Sequence, residues 1–226
     1  MELKDIVPWG RSFNEYKEMF SLNADDLKKR ILGCGDGPAS FNAELTKSGG
    51  NVVSADPLYQ FSSIQIVERI RDVYPVVMAD TAKNINDYIW KSIANIEELG
   101  KTRMNAMEKF LNDYKKGKET GRYITASLPV LPFKDQEFNL ALCSHYLFLY
   151  SDHVSQAEHI LSIQELCRVA KEVRIYPLLS LSGVKSPHLN PVIQSLREKS
   201  IKISFERVEY QFQKGATEML VAKLFH

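Results

Sequence analysis

Cysteine is scarce in this chain, which has only Cys34, Cys143 and Cys167. They are odd in number, scattered and without metal-ligand spacing, which excludes a disulfide framework and a zinc-ligand cluster and fits a reducing compartment. An excess of either charge is also lacking. With a formal net charge of +1 the chain has no global attraction to phosphate backbones or anionic membranes, so nucleic acid is not the expected partner. No apolar run approaches the length of a membrane span. Glu2 and Asp5, with no long apolar segment after them, do not make a signal peptide. A cytoplasmic protein with no membrane association is expected.

Hydrophobic residues at 44% and charged residues at 25% of 226 are ordinary globular values and argue against disorder. The length allows one sizeable core, read as a single domain over 1–226 carrying an inserted segment. Its organising stretch is Arg30-Ile31-Leu32-Gly33-Cys34-Gly35-Asp36-Gly37-Pro38, an apolar strand running into three alternating glycines. Glycine permits φ > 0 and leaves no Cβ, so the backbone can turn sharply against a ligand. Pro38 suits a first helical position, and a helix over 38–47 would turn its positive end towards that ligand. The spacing G-x-G-x-G fits neither the dinucleotide fingerprint G-x-G-x-x-G nor the phosphate loop, which needs G-K-[ST]. Val52-Val53-Ser54-Ala55-Asp56-Pro57 adds a second strand ending in an acid about twenty residues on, where a carboxylate can accept both hydrogen bonds of a ribose diol. Together they read as an adenosine-type site.

These residues resemble the class I S-adenosylmethionine-dependent methyltransferases, whose first motif ends in G-x-G-x-G and whose second strand ends in an acid. Leu131-Pro132-Phe133 followed by Phe138-Asn139-Leu140-Ala141-Leu142-Cys143 is similar to the family's L-P-F, spacer and F-D-hydrophobic run into the fourth strand. Three positions depart from the pattern: Ile31 stands where the family has an acid, Ser127 where it often has Asp, and Asn139 where it usually has Asp. The resemblance implies an α/β, Rossmann-like sheet of seven strands, mostly parallel, with helices on both faces and a terminal β-hairpin. It implies S-adenosyl-L-methionine as cofactor, held by Gly33, Cys34, Gly35, Asp56, Pro57, Ser127, Leu128 and Cys143. Arg11, in an N-terminal segment that in such folds often covers the cofactor mouth, either pairs with the methionine carboxylate or is solvated beside Trp9.

The periodicity fills in the rest. Phe13, Tyr16, Met19 and Phe20 share one helical face within 1–26. Residues 62–119 are too long for a plain crossover and carry helix-spaced apolar residues, so they form a helical insertion of two or three helices, expected over the ligand edge of the sheet. Lys115, Lys116 and Lys118 near its end read as a solvated helix terminus. Strands are expected over 122–126, 140–144 and 173–179, helices over 154–170 and 192–199 with a loop over 183–191 between strand and helix, and a closing hairpin over 203–212 and 218–225.

His145 and Tyr146 follow the fourth strand directly, at the edge that carries ligands in open parallel sheets. His145 is the candidate general base, since imidazole titrates near neutrality, or else it caps the strand end; Tyr146 can hydrogen-bond an acceptor. No N-P-P-Y-type tetrapeptide and no cysteine pair occurs, which leaves an oxygen or nitrogen of a small molecule as the expected acceptor. A non-catalytic adenosyl-ligand module, and a methyltransferase of RNA or protein docking on the inserted helices, are the other readings.

Overall fold

A computed structural model describes residues 7–224, so Glu2 and Asp5 of the leading segment, and Phe225 of the expected hairpin, lie outside the described residues. Ser12 starts α1 (Phe13–Met19) with a reciprocal cap in which Glu15 answers back, a device that satisfies two otherwise orphaned donors. The first half of the sheet follows: β1 (Arg30–Cys34), α2 (Phe41–Lys47) and β2 (Asn51–Ala55). Two long helices, α3 (Ser63–Lys83) and α4 (Ile96–Glu119), then precede β3 (Tyr123–Ile124) and β4 (Phe138–Ser144). The chain closes with α5 (Gln156–Val169), β5 (Ala170–Tyr176), α6 (Leu189–Glu198), β6 (Ile201–Arg207) and β7 (Glu218–Leu224).

The seven strands form one sheet in the order β3-β2-β1-β4-β5-β7-β6, parallel throughout except that β7 runs against β5 and β6. This is the architecture the resemblance implies. The central strands read as continuous apolar runs because both faces are covered. Leu32, Ala141, Cys143 and Val173 pack against α5 and α6. Ile31, Val52, Leu140 and Leu142 pack on the opposite face against Tyr16 of α1, Phe20 at its C-cap, and Phe41 and Leu45 of α2. A third cluster joins α3 and α4 through Ile66, Ile70, Met107 and Phe110 to Tyr59 and Tyr123 at the sheet edge.

Several boundaries differ from expectation. The helix expected from Pro38 begins at Phe41; Ser40 instead donates its N–H to the Arg11 carbonyl at 3.0 Å, so the intervening turn is tied to the N-terminal segment and the helix end stands off from the glycine loop. The third strand is only two residues long, because the chain leaves at once for a turn closed by Ser127 and Val130. The fifth strand ends at Tyr176, where Pro177 offers no N–H to continue the ladder. The helix expected from Val192 begins at Leu189, with Pro191 in its first turn, where a missing N–H costs nothing; the loop expected over 183–191 is correspondingly shorter. The first hairpin strand stops at Arg207, and residues 208–217 swing away to help build the site.

Candidate active site

The strands β1, β2 and β4 all end at one edge of the sheet, and a cavity of about 590 Å³ lies over that edge. Its volume falls within the range of about 300–1,000 Å³ common for small-ligand sites. One half is built on the sheet: Cys34, Gly35, Asp36, Gly37, Asp56, Pro57, Ser127, Leu128, Ser144, His145 and Tyr146 line it. Thus nearly all the residues singled out from sequence converge there. Gly33 and Cys143 do not reach the cavity surface; they are buried behind it on adjacent, paired strands.

The glycines have distinct local reasons. Gly35 has φ +69°, and a Cβ there would stand 2.9 Å from that of Tyr146, so the loop needs glycine both for its turn and for the close passage of the chain after β4. At Gly33 a Cβ would fall on the Asp36 carboxylate, which folds back into that space. Asp36 accepts from Tyr16 Oη at 2.7 Å and Ser54 Oγ at 2.6 Å. Burial raises its pKa to about 6 against those two hydrogen bonds, with Asp56 adding to the rise.

Asp56 accepts from Gly37 N at 2.8 Å and Leu58 N at 2.7 Å, so it braces the glycine loop and caps the turn that Pro57 begins. One lone pair on each oxygen remains for a ligand. Burial raises its pKa, opposed by the two N–H groups. Cys34 is a buried thiol pushed well up by desolvation and offers packing, not nucleophilicity.

His145 has φ +51°, a left-handed conformation that a histidine at a functional turn adopts more readily than most residues. Its N–H donates to the Tyr176 carbonyl at 2.8 Å, and its Nδ1 lies 3.0 Å from Ser144 Oγ. Burial, then the Arg11 and Arg103 guanidiniums, hold its pKa well below 6.5, so the imidazole is neutral at ordinary pH. Burial pushes Tyr146 up to about 12, keeping it a hydroxyl. Arg11 also lines the cavity. Its Nη1 donates to the Trp9 carbonyl at 3.0 Å, its buried Nε has no partner, and no carboxylate pairs with it among the described residues. Burial and the neighbouring Arg103 lower its pKa. A guanidinium in that state is a ready seat for an anionic ligand group.

The other half of the cavity comes from the elements between β2 and β3 and from late loops: Ile66, Val77, Thr81, Tyr88, Leu99, Leu181 and Phe212. The connection between α3 and α4 is zipped to the β6–β7 loop, with Ile89 N donating to Phe212 O at 2.8 Å and Lys214 N to Asp87 O at 2.9 Å. Tyr88 stacks on Phe212 with centroids 4.9 Å apart. Behind this wall, Arg103 of α4 forms an ion pair with Glu15 of α1, whose other oxygen accepts from Tyr210 Oη at 2.6 Å. Sequence reasoning missed the wall residues, which come from distant segments with no shared motif. It also gave Asp36 and Tyr16 no role in the site; an acid set between two of the loop's glycines was the available signal.

Among the described residues no cluster of metal-ligating side chains occurs, and no helix is long and apolar enough to cross a membrane. No protein-family model matches the chain. A protein of Methanocaldococcus jannaschii, described as uncharacterized protein MJ0045, is 35% identical over 226 residues, 99% of this chain and 98% of the relative. The crystal structure of the PH0226 protein from Pyrococcus horikoshii OT3 is similar with a TM-score of 0.50 and 12% identity, covering 94% of this chain and 91% of that one. Magnesium protoporphyrin IX methyltransferase from Synechocystis PCC 6803, crystallised with bound S-adenosylmethionine, is similar at a TM-score of 0.45 and 12% identity, over 89% of this chain and 73% of that one.

Proposed function

Since the chain belongs to the same family as protein MJ0045 of Methanocaldococcus jannaschii and has the class I methyltransferase fold, we propose that it is an S-adenosylmethionine-dependent methyltransferase. The acceptor in this reading is an oxygen or nitrogen of a small molecule. The observation that carries it is the convergence of the glycine loop, Asp56 and the end of β4 on one cavity whose other half is lined mainly by apolar side chains.

The residues present fit the cofactor. Gly35 leaves backbone room for it, Asp56 has lone pairs for the ribose diol, and the guanidinium of Arg11, whose buried Nε has no partner, suits the methionine carboxylate. Ser127 and Leu128 line the region beside Asp56, and Pro57 holds the turn that directs it. Bound there, S-adenosylmethionine supplies an electrophilic methyl group on sulfur. The chain's own contribution is to hold the acceptor in line and keep water out. Tyr146 offers a hydroxyl for orientation, and neutral His145 offers a lone pair for the acceptor's proton.

Two of the three departures from the family pattern find local explanations. Ile31 is wholly buried in the core, and an acid there would need a partner the site does not provide. Asn139 accepts from Arg30 N at 3.1 Å, away from the cavity. On α4, Lys101 and Lys109 are paired with Glu97 and Glu44 and Lys118 donates to the Tyr59 carbonyl at 2.7 Å, which leaves Lys115 and Lys116 as the cations of its last turns with no ion pair among the described residues, a small patch for docking RNA.

Titration calorimetry with S-adenosylmethionine and S-adenosylhomocysteine tests the first step, with one site expected for each. Labelled cofactor incubated with fractionated cell extract then tests turnover. Binding without label transfer to any fraction would favour a non-catalytic adenosyl-ligand module, and absence of binding would remove the proposal.

A further inference from the structure

Charge is distributed unevenly around the cavity. Two acids line it, Asp36 and Asp56, and both are committed to the chain: Asp36 accepts from Tyr16 and Ser54, Asp56 from the Gly37 and Leu58 N–H groups. Both stand at the glycine loop, so no carboxylate serves the half walled by α3, α4 and the late loops. Of the polar side chains in that half, Thr81 and Gln213 are already engaged: Thr81 Oγ1 donates to the Val77 carbonyl at 2.8 Å and Gln213 Nε2 to the Ser180 carbonyl at 2.9 Å. Its surface is otherwise mainly aliphatic and aromatic, with the Tyr88 and Phe212 rings stacked at an interplanar angle of 26°.

Arg69 is the exception on that side. It lies in the second turn of α3, on the helix face that borders the cavity, about 12 Å along the axis from Val77. The residue is exposed, and it has neither an ion pair nor a hydrogen bond among the described residues. The fold therefore makes no use of its charge. With Arg11, the cavity has two lining guanidiniums, and the cofactor's sulfonium adds a third positive charge. A cationic acceptor would meet all three with no carboxylate beside it, whereas an acid meets the opposite balance.

We infer that the methyl acceptor is a flat apolar molecule bearing one carboxylate, its body against the aromatic wall and its carboxylate on Arg69 at the rim. This rests on the reading of the cavity as a methyl-transfer site and names the acceptor class for it. The paired rings of Tyr88 and Phe212 favour a planar body, because aromatic faces pack best on planar groups. A guanidinium takes a carboxylate through two parallel N–H···O bonds. One guanidinium balances one charge, which suits a carboxylate better than a phosphate dianion. Since Arg69 stays in contact with water, the acid is held without losing all its hydration, and the apolar body supplies the burial. An acid anchored at the rim directs the other end of the molecule inwards, towards Tyr146 and His145 at the end of β4. The oxygen or nitrogen that is methylated thus lies remote from the carboxylate, which is a handle and not the reacting group.

Calorimetry on protein saturated with S-adenosylhomocysteine tests this with probes of one shape and different charge: naphthoate, naphthamide and naphthylmethylammonium. S-adenosylhomocysteine lacks the sulfonium charge, so any preference for the acid comes from the chain. Naphthoate should bind tightest and the ammonium weakest, and added salt should weaken naphthoate alone. Arg69→Gln should weaken naphthoate about fivefold, the upper scale for an ion pair in contact with water, and leave naphthamide within about twofold of wild type. Arg69→Glu should weaken naphthoate further, and Arg69→Lys should retain part of the affinity. Because Arg69 makes no bond within the protein, none of these substitutions removes a contact of the fold. Absence of naphthoate binding, equal binding of acid and amide, tighter binding of the ammonium, or a naphthoate affinity that ignores Arg69→Gln and Arg69→Glu would each overturn the inference. So would loss of S-adenosylhomocysteine binding in Arg69→Gln, which would place Arg69 against the cofactor. Failure of the wild type to bind S-adenosylhomocysteine is a separate result that removes the methyltransferase reading and this inference with it, whereas binding without preference for the acid removes the inference alone.

Discussion

Replacing Glu15 with Gln removes one charge from a place where that charge is expensive to lose. Arg103 is 0% and Glu15 5% exposed, and the pair joins α4 to α1 behind the apolar half of the cavity. Burial by itself would raise the Glu15 pKa, but Arg103, and then Arg11 and the Ser12 N–H, override it and bring it from 4.5 to about 2. By linkage that depression corresponds to about 3 kcal/mol of stability at neutral pH. An independent scale agrees: breaking a buried ion pair by removing one partner typically costs ~3–5 kcal/mol, because the other charge is left uncompensated. Glutamine preserves the shape: its one oxygen can keep accepting from the Ser12 N–H while its NH2 faces Tyr210 Oη, which can turn to accept, so the substitution mainly removes the charge.

Urea unfolding at pH 7 should therefore show Glu15→Gln destabilised by about 3 kcal/mol or somewhat more. The sign with pH is fixed by the direction of the shift. A depressed acid stabilises fully above its unfolded pKa and loses that contribution as pH falls through its folded value, so the wild type should weaken between about pH 4.5 and pH 2. The variant should lack this part of the slope. Glu15→Gln combined with Arg103→Met should recover much of the loss, since with the guanidinium gone no buried charge is left uncompensated. A deficit below about 1 kcal/mol, or an unchanged acid slope in the variant, would refute the claim that this pair clamps α4.

Asp56→Ala should weaken S-adenosylmethionine binding by about 1.5–3 kcal/mol, the scale for hydrogen bonds to a charged group, with the fold checked by unchanged far-ultraviolet dichroism; unchanged affinity would take Asp56 out of the site. Gly35→Ala should abolish measurable binding in calorimetry, since the new Cβ meets Tyr146 and φ +69° is unfavourable for alanine. His145→Ala should leave cofactor affinity nearly unchanged while slowing label transfer roughly 10²–10⁴-fold; lost binding would make it a ligand-holding residue, and full activity would mean that the acceptor arrives deprotonated.

The sheet half of the site was legible because its residues are local. A glycine loop between strand and helix, an acid ending the next strand and a polar pair after the fourth are each contiguous in sequence, and parallel strands necessarily bring their C-terminal ends together. Cys143 and Gly33 stand behind the cavity surface for a related reason. Motif membership does not say which side of a strand faces the ligand, and the pairing of β1 with β4 buries both. The helical content of 62–119 was readable from its period, whereas Tyr88, Leu181 and Phe212 became neighbours only through tertiary contacts. Tyr16 shows the limit most sharply. Its ring obeys the apolar face of α1 and stacks on Phe41 with centroids 4.6 Å apart, while its hydroxyl reaches Asp36 from the other end, and periodicity reports only the ring.

The zipped wall of the cavity divides the molecule's capacity to change. The contacts proposed for the cofactor lie at strand ends whose neighbours are fixed by the sheet, so substitutions there disturb the core. Part of the wall is made of two connecting segments, 84–95 and 208–217, joined to each other by main-chain hydrogen bonds that do not depend on side-chain identity, with Tyr88 and Trp90 packed on Phe212. Side chains on those segments can be exchanged while the zip persists. On the proposed reading, acceptor preference is therefore tuned at these two segments without disturbing the strand ends proposed to hold the cofactor.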